Sequence, residues 1–138
     1  MRYAIISDIH ANRQAWSAVL KDIQQQGVDD ILCLGDVVGY GPRPADVLED
    51  VYAHCDNFVL GNHDAVVGNR MDSDLFNDNA KYLIDWTKDQ LSLGVQEFFA
   101  EMPVQMMGET FMTAHADAAD PEGFASVSYT HLTLPTIA

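Results

Sequence analysis

Positive charge is what this sequence has least of. Seven Lys and Arg stand against 21 Asp and Glu, a net charge of −14 over 138 residues. Non-specific nucleic-acid binding rests on cations that neutralise phosphates, so this balance argues against it. The same shortage argues against a polybasic membrane surface. No apolar run reaches the roughly 18 residues of a membrane-crossing helix. The apolar stretch near the start, Tyr3 to Ile6, is too short for a signal peptide, and Asp8 follows at once. There are only two cysteines, Cys33 and Cys55. Without a secretion signal they read as reduced thiols of a cytoplasmic protein, not as a disulfide framework. A P-loop and a Gly-x-Gly-x-x-Gly turn are also missing, which counts against a nucleotide-binding α/β domain. An anionic substrate would be repelled at long range, so phosphate chemistry here needs local positive charge, most simply metal ions.

What is present suits one ordinary domain: 48% apolar residues allow a core, and 20% charged residues are too few for an acidic disordered chain. The first two thirds alternate strand and helix. Tyr3 to Ile6 reads as a buried strand. Asn12 reads as the cap of a helix carrying Trp16, Val19, Leu20 and Ile23, stopped by Gly27. Ile31 to Leu34 is a second strand. Pro44 suits the first turn of a helix with Val47, Leu48, Val51 and Tyr52 on one face. Phe58 to Leu60 is a third strand. Three such units in a row imply parallel strands with right-handed crossovers. Two helical stripes follow: Leu83, Ile84, Thr87 and Leu91, then Val95, Phe98, Phe99 and Met102, closed by Pro103. Val104 to Met107 and Thr110 to Ala114 then flank Gly108-Glu109 as a tight hairpin.

The chemistry-bearing residues gather where the predicted strands end. The first strand ends in Asp8-Ile9-His10, the second in Gly35-Asp36, the third in Gly61-Asn62-His63-Asp64. His115 follows the later strand. Open α/β sheets place ligands at the carboxyl ends of their strands. Asp, Asn and Gly also serve as turn and cap residues, and Asp8 or Asp36 alone would carry little weight. The tetrapeptide Gly61-Asn62-His63-Asp64 is far more specific. Carboxylates, imidazoles and an amide oxygen together suit Mn, Fe, Zn or Ni better than Ca, which prefers oxygen alone.

With these residues in place, the chain resembles the calcineurin-like metallophosphoesterases, of the small bacterial and archaeal type. The matching stretches are Asp8-Ile9-His10-Ala11-Asn12, Gly35-Asp36-Val37-Val38-Gly39-Tyr40-Gly41-Pro42 and Gly61-Asn62-His63-Asp64. The resemblance implies an α/β fold, a two-sheet sandwich flanked by helices with a dinuclear metal site between the sheets. It implies that Asp8 and His10 hold a first divalent transition metal, that Asp36 bridges both metals, and that Asn62 and His115 hold the second. It further implies hydrolysis of a phosphomonoester or phosphodiester by a metal-bridging hydroxide. His63 would face the phosphate and protonate the leaving oxygen, Asn62 would share the substrate contact, and Asp64 would orient His63. Arg43 is a further candidate for the phosphate, because the guanidinium fork matches phosphate oxygens. Arg70 is weighed for the same reason, although a solvated surface arginine is the ordinary role of either. His54, at a helix end, reads as a dipole and cap residue. Tyr40 either lines the pocket or packs.

Two features depart from the family pattern. His115 is followed by Ala116-Asp117, where the family commonly has a small pair such as Gly-Ser. The Gly-His-x-His turn, whose histidines each bind one metal in the family, does not occur, and His131 lacks both its glycine and its partner histidine. Residues 127–138 carry no Asp, Glu, Lys or Arg. They look like the conceptual translation of a sequencing-library adapter, so residues 1–126 are expected to be the N-terminal part of one domain with an incomplete second sheet. The chain as it stands is expected to be weakly active or inactive, and if that ending is genuine, a catalytically inactive scaffold that binds a protein partner becomes the alternative.

Overall fold

The computed structural model describes residues 1–124. The segment 127–138 singled out above, and His131 with it, lie outside the described residues. Two sheets form: three parallel strands in the order β1 (Tyr3–Ile6), β2 (Asp30–Cys33), β3 (Asn57–Phe58), and an antiparallel pair, β4 (Gln105–Met107) with β5 (Met112–Ala114). The helices are α1 (Arg13–Gln26), α2 (Pro44–His54), α3 (Asn62–Val67), α4 (Asp78–Asp89) and α5 (Leu93–Glu101). The α/β class, the parallel first sheet and the small second sheet are as the motif pattern implies.

Local chemistry accounts for most boundaries. The Asn12 side chain accepts a hydrogen bond from the Ala15 amide at 3.0 Å and opens α1. Gly27 closes it in the left-handed conformation, φ 61°. Trp16 on α1 is buried, and its indole donates to Asp50 on α2 at 2.9 Å, which ties the two helices together across the core. Pro44 begins α2, which buries Val47, Leu48 and Val51. Both thiols are buried and free. Burial pushes Cys33 and Cys55 each up to about 12, so neither is a ready nucleophile.

Two expectations need correction. The third strand is shorter than Phe58 to Leu60. The Val59 amide still bonds to the Cys33 carbonyl at 3.0 Å, but Leu60 turns away and donates to Pro103 at 2.8 Å. The chain is diverted by a partner 43 positions later, which no local pattern signals. The hairpin loop is also longer than Gly108-Glu109. Met107 pairs with Met112, and the Gly108 amide donates to the Phe111 carbonyl at 2.8 Å, so four residues make the turn.

Register carries the sheet into the loops. Tyr3 pairs with Asp30 and Ile6 with Cys33. Beyond the strand ends the pairing continues: Asp8 donates to Gly35 at 3.0 Å, His10 to Asp36 at 3.0 Å and Ala11 to Val37 at 2.8 Å. The loops after β1 and β2 therefore run side by side, which brings Asp8, His10 and Asp36 together.

Candidate metal centre

Five non-glycine residues on these two loops hold left-handed backbone: Asp8 (φ 56°), His10 (48°), Ala11 (53°), Asp36 (54°) and Tyr40 (58°). Each such conformation costs about 1 kcal/mol or more, and persists where the surroundings over-determine it. Here the loop-to-loop hydrogen bonds do so, and the result aims the side chains inward. Two glycines make room for the site's own side chains. A Cβ on Gly61 would lie 2.1 Å from Asp36 Oδ1, and one on Gly39 (φ 91°) would lie 2.5 Å from His63 Nδ1.

Asp36 is the centre of the arrangement. It is 2% exposed, and its Oδ1 accepts from the His63 amide at 2.9 Å. Its Oδ2 lies 3.7 Å from His10 Nε2 and 3.5 Å from His115 Nε2. Asp8 Oδ1 lies 3.5 Å from His10 Nε2. Asn62 Oδ1 lies 3.1 Å from His115 Nε2. The chain thus brings together Asp8, His10, Asp36, Asn62 and His115. His115 arrives from the other sheet, at the end of β5.

The tautomers follow from the partners. His10 Nδ1 lies 2.9 Å from the Val38 carbonyl, and His115 Nδ1 lies 2.7 Å from the Leu34 carbonyl. A carbonyl only accepts, so each Nδ1 carries a hydrogen, and Nε2 is the ring atom turned toward Asp36. An Nε2 free of its proton faces a carboxylate with its lone pair, an arrangement that takes a cation between them. Two donors at about 2.1 Å from one ion lie about 3–3.5 Å apart, near the spacings here. The Nδ1-to-carbonyl bond is also how metal-binding histidines are oriented. The residues present therefore fit divalent metal.

Protons compete with a cation for these positions. Burial, with the nearby Asp64 charge, pushes Asp36 up to about 7. The hydrogen bond from His10 holds Asp8 down at about 2, against a partial burial that works the other way. Burial opposes a charged His10, but Asp8, the Val38 carbonyl and Asp36 together raise it above the ordinary value.

His63 is 5% exposed. Its ring is packed between Tyr40 at 4.7 Å, Phe76 at 4.7 Å and His10 at 4.8 Å. Its Nδ1 is buried with no hydrogen-bond partner among the described residues. Burial and the His10 charge hold it down at about 4. Phe76, just after a short 3-10 helix (Ser73–Leu75), has no signal in the sequence that would place it here. Ser7, whose hydroxyl donates to Asp8, was within reach of sequence reasoning because it adjoins the motif.

Asp64 plays a different part from the expected one. Its carboxylate accepts from the amides of Asp36 (2.7 Å), Gly61 (3.2 Å) and Val38 (3.3 Å), not from the His63 ring. It is fully buried and ties two motif loops together. Replacing Asp64 with Ala leaves three buried amides unpaired and is expected to cost on the order of 3–5 kcal/mol. A denaturant melt reads this directly. An unchanged midpoint with lost activity would return Asp64 to the His63-orienting role.

Arg43 stands apart from the centre. It is exposed and paired with Asp46, with Nε at 2.9 Å from Oδ2. Arg70 donates to the Met102 carbonyl at 2.6 Å and faces Glu122 at 3.7 Å, a structural role. His54 Nδ1 lies 2.7 Å from the Asp50 carbonyl within α2, as a helix-end residue would.

Comparison with known proteins joins this geometry to a family. The chain is 37% identical over 123 residues to the uncharacterized protein MJ0912 of Methanocaldococcus jannaschii, covering 86% of this chain and 51% of that protein. A crystal structure of a metallophosphoesterase from Sphaerobacter thermophilus superposes with TM-score 0.67 at 41% identity, covering 81% of this chain and 45% of that one. The protein PH1004 of Pyrococcus horikoshii OT3 shares the fold at TM-score 0.64 and 21% identity, covering 76% of this chain and 49% of that one. The chain thus spans about half the length of these relatives. No helix among the described residues is long and apolar enough to cross a membrane. The family pattern of the calcineurin-like phosphoesterases matches residues 1–132, and the chain belongs to that family of metal-dependent phosphoester hydrolases.

Proposed function

We propose that this protein hydrolyses a phosphomonoester or phosphodiester using two divalent transition-metal ions. The observation that carries the reading is that the Nε2 atoms of His10 and His115 both lie within 3.7 Å of the same buried oxygen, Asp36 Oδ2. Asp8 and His10 would hold one ion, Asn62 and His115 the other, and Asp36, whose Oδ2 faces both histidines, would serve both. The mixed nitrogen and oxygen set suits Mn, Fe, Zn or Ni. When bound, the two cations supply positive charge to the phosphate oxygens and acidify water at the site.

The chain's own residues do the rest. Asn62 offers its amide at the mouth of the centre. His63 is neutral before substrate arrives, because burial holds its proton affinity low. An anionic phosphate beside the ring reverses that balance and favours the imidazolium. As a water oxygen bonds to phosphorus and the ester P–O bond breaks, the protonated ring donates to the leaving oxygen. Phe76 and Tyr40 hold the ring in place by packing. Two buried, free thiols support the cytoplasm as the place of action.

The test is a metal screen. The chain is loaded in turn with Mn, Fe, Zn and Ni, and turnover of an aryl phosphomonoester and an aryl phosphodiester is followed. Expected is at best slow hydrolysis with at least one metal, removed by a chelator and restored by adding the ion back. Metal binding without turnover by any loaded form would favour the scaffold that binds a protein partner.

A further inference from the structure

The loop 68–77 joins α3, which opens with Asn62 and His63, to α4. Near its end it brings Phe76 against the His63 ring, 4.7 Å away and tilted by 41°. We infer that Lys81, on α4 and outside the metal centre, is a positioning residue for His63: it clips the Ser73–Leu75 turn to α4 and thereby keeps Phe76 on the ring. The inference rests on the reading of His63 as the proton donor and adds to it a residue that acts through another.

The His63 ring is oriented by packing. Its Nδ1 has no hydrogen-bond partner among the described residues, so no bonded group fixes that edge. Tyr40, His10 and Phe76 surround it. Tyr40 and His10 belong to the two loops that bond to each other, where the Gly41 amide donates to the His10 carbonyl at 3.0 Å. Phe76 comes from elsewhere, and its amide bonds within its own turn, to the Ser73 carbonyl at 3.0 Å. Asp72 caps that turn by accepting from the Asp74 amide at 2.9 Å. None of Ser73–Leu75 is buried, so apolar contact does not anchor the turn.

Lys81 supplies the anchor. Its Nζ lies 2.8 Å from Ser73 Oγ, 2.9 Å from Asp74 Oδ1 and 3.2 Å from Asp85 Oδ2. An ammonium has three hydrogens to donate, and three oxygens meet it here. Two of those oxygens are on the turn and one is on α4, so the cation bridges turn and helix. Among the described residues, the hydrogen bonds and ion pairs that leave 72–76 all end on α4, at Lys81 or Asp85. Phe76 follows Asp74 by two positions, which leaves its backbone little freedom once Asp74 is held. Every group in this chain of contacts lies between Asn62 and Asp85.

The test reads the His63 ring directly, on the full chain without metal. The carbon-bound proton signals of its imidazole are assigned by their loss in His63→Ala and followed by NMR at one fixed pH. Neighbouring aromatic rings displace such signals, so Phe76→Leu gives the size of the Phe76 contribution. Lys81→Met is expected to reproduce at least half of that change, and Lys81→Arg almost none of it. The Ser73→Ala, Asp74→Asn double variant removes the clip from its other side and should repeat the Lys81→Met result. Exposed ion pairs add little to global stability, so Lys81→Met should melt with the wild type. With a metal that supports turnover, Lys81→Met should lower kcat on phenyl phosphate about tenfold, with KM and bound metal unchanged. On dinitrophenyl phosphate, whose leaving group needs no proton, its kcat should stay within about twofold of the wild type. His63 signals that keep their wild-type positions in Lys81→Met and in the double variant overturn the inference, whatever the metal-loaded chain does. Signals that move as expected uphold the placing of Lys81, and equal losses on both esters, or no turnover with any metal, then overturn the proton-donor reading alone.

Discussion

Replacing Asp36 with Asn is expected to stabilise the metal-free chain near pH 8 while abolishing its response to metal. The sign follows from the direction of the shift. Burial and Asp64 push Asp36 from 3.8 up to about 7, so the folded chain holds this proton more tightly than the unfolded chain does. The stability that this contributes is fully present below the unfolded value and is lost as pH rises through the folded one. A difference of about three pKa units corresponds to about 4 kcal/mol, an upper figure for what the charged form costs above pH 7. Asn is isosteric, keeps an oxygen to accept from the His63 amide, and carries no charge. Thermal melts of both chains between about pH 4 and pH 8 read the effect: the wild type should fall across that window relative to Asp36→Asn. The metal arm runs the other way. A divalent cation competes with the proton on Asp36, so Mn should raise the wild-type melting temperature far more near pH 8 than near pH 5. The Asn variant should show almost no rise at either. A variant that melts lower at pH 8 and still responds to Mn would mean that Asp36 is a structural carboxylate.

Replacing His63 with Ala is expected to lower turnover by on the order of a hundredfold or more, with bound metal unchanged. His63 shares a cluster with His10 and Asp36, so metal content must be measured beside kcat. The ring lies among Tyr40, Phe76 and His10 with Nδ1 unpaired, positioned by packing and not by a hydrogen-bonded carboxylate. Its removal leaves the Nδ1-to-carbonyl bonds of His10 and His115 intact. If metal is lost in proportion to activity, His63 is a ligand and the proton-donor role is wrong. A substrate with a highly acidic leaving group needs no proton, and the variant should recover most of its rate on such an ester.

Sequence and tertiary structure contributed differently to this picture. The parallel strands, the caps at Asn12 and Gly27 and the Pro44 start were legible because each depends on residues within one turn or one strand. So were Asp8, His10, Asp36, Asn62 and His63 as a set, since short motifs at strand ends mark them. The roles of Asp64 and Arg43 were not legible. Whether Asp64 reaches the His63 ring or the amides of Asp36, Gly61 and Val38 depends on how two loops pack, and Arg43 was free to face solvent, substrate or Asp46. Phe76 and the early end of β3 depend on partners far along the chain. By itself, the sequence determined the fold class and the motifs that bring carboxylate, imidazole and amide side chains to the strand ends. Only the tertiary structure decided which ring nitrogens face Asp36 and which rings border His63. Those are matters of distance between segments that the backbone brings together only when the whole domain packs.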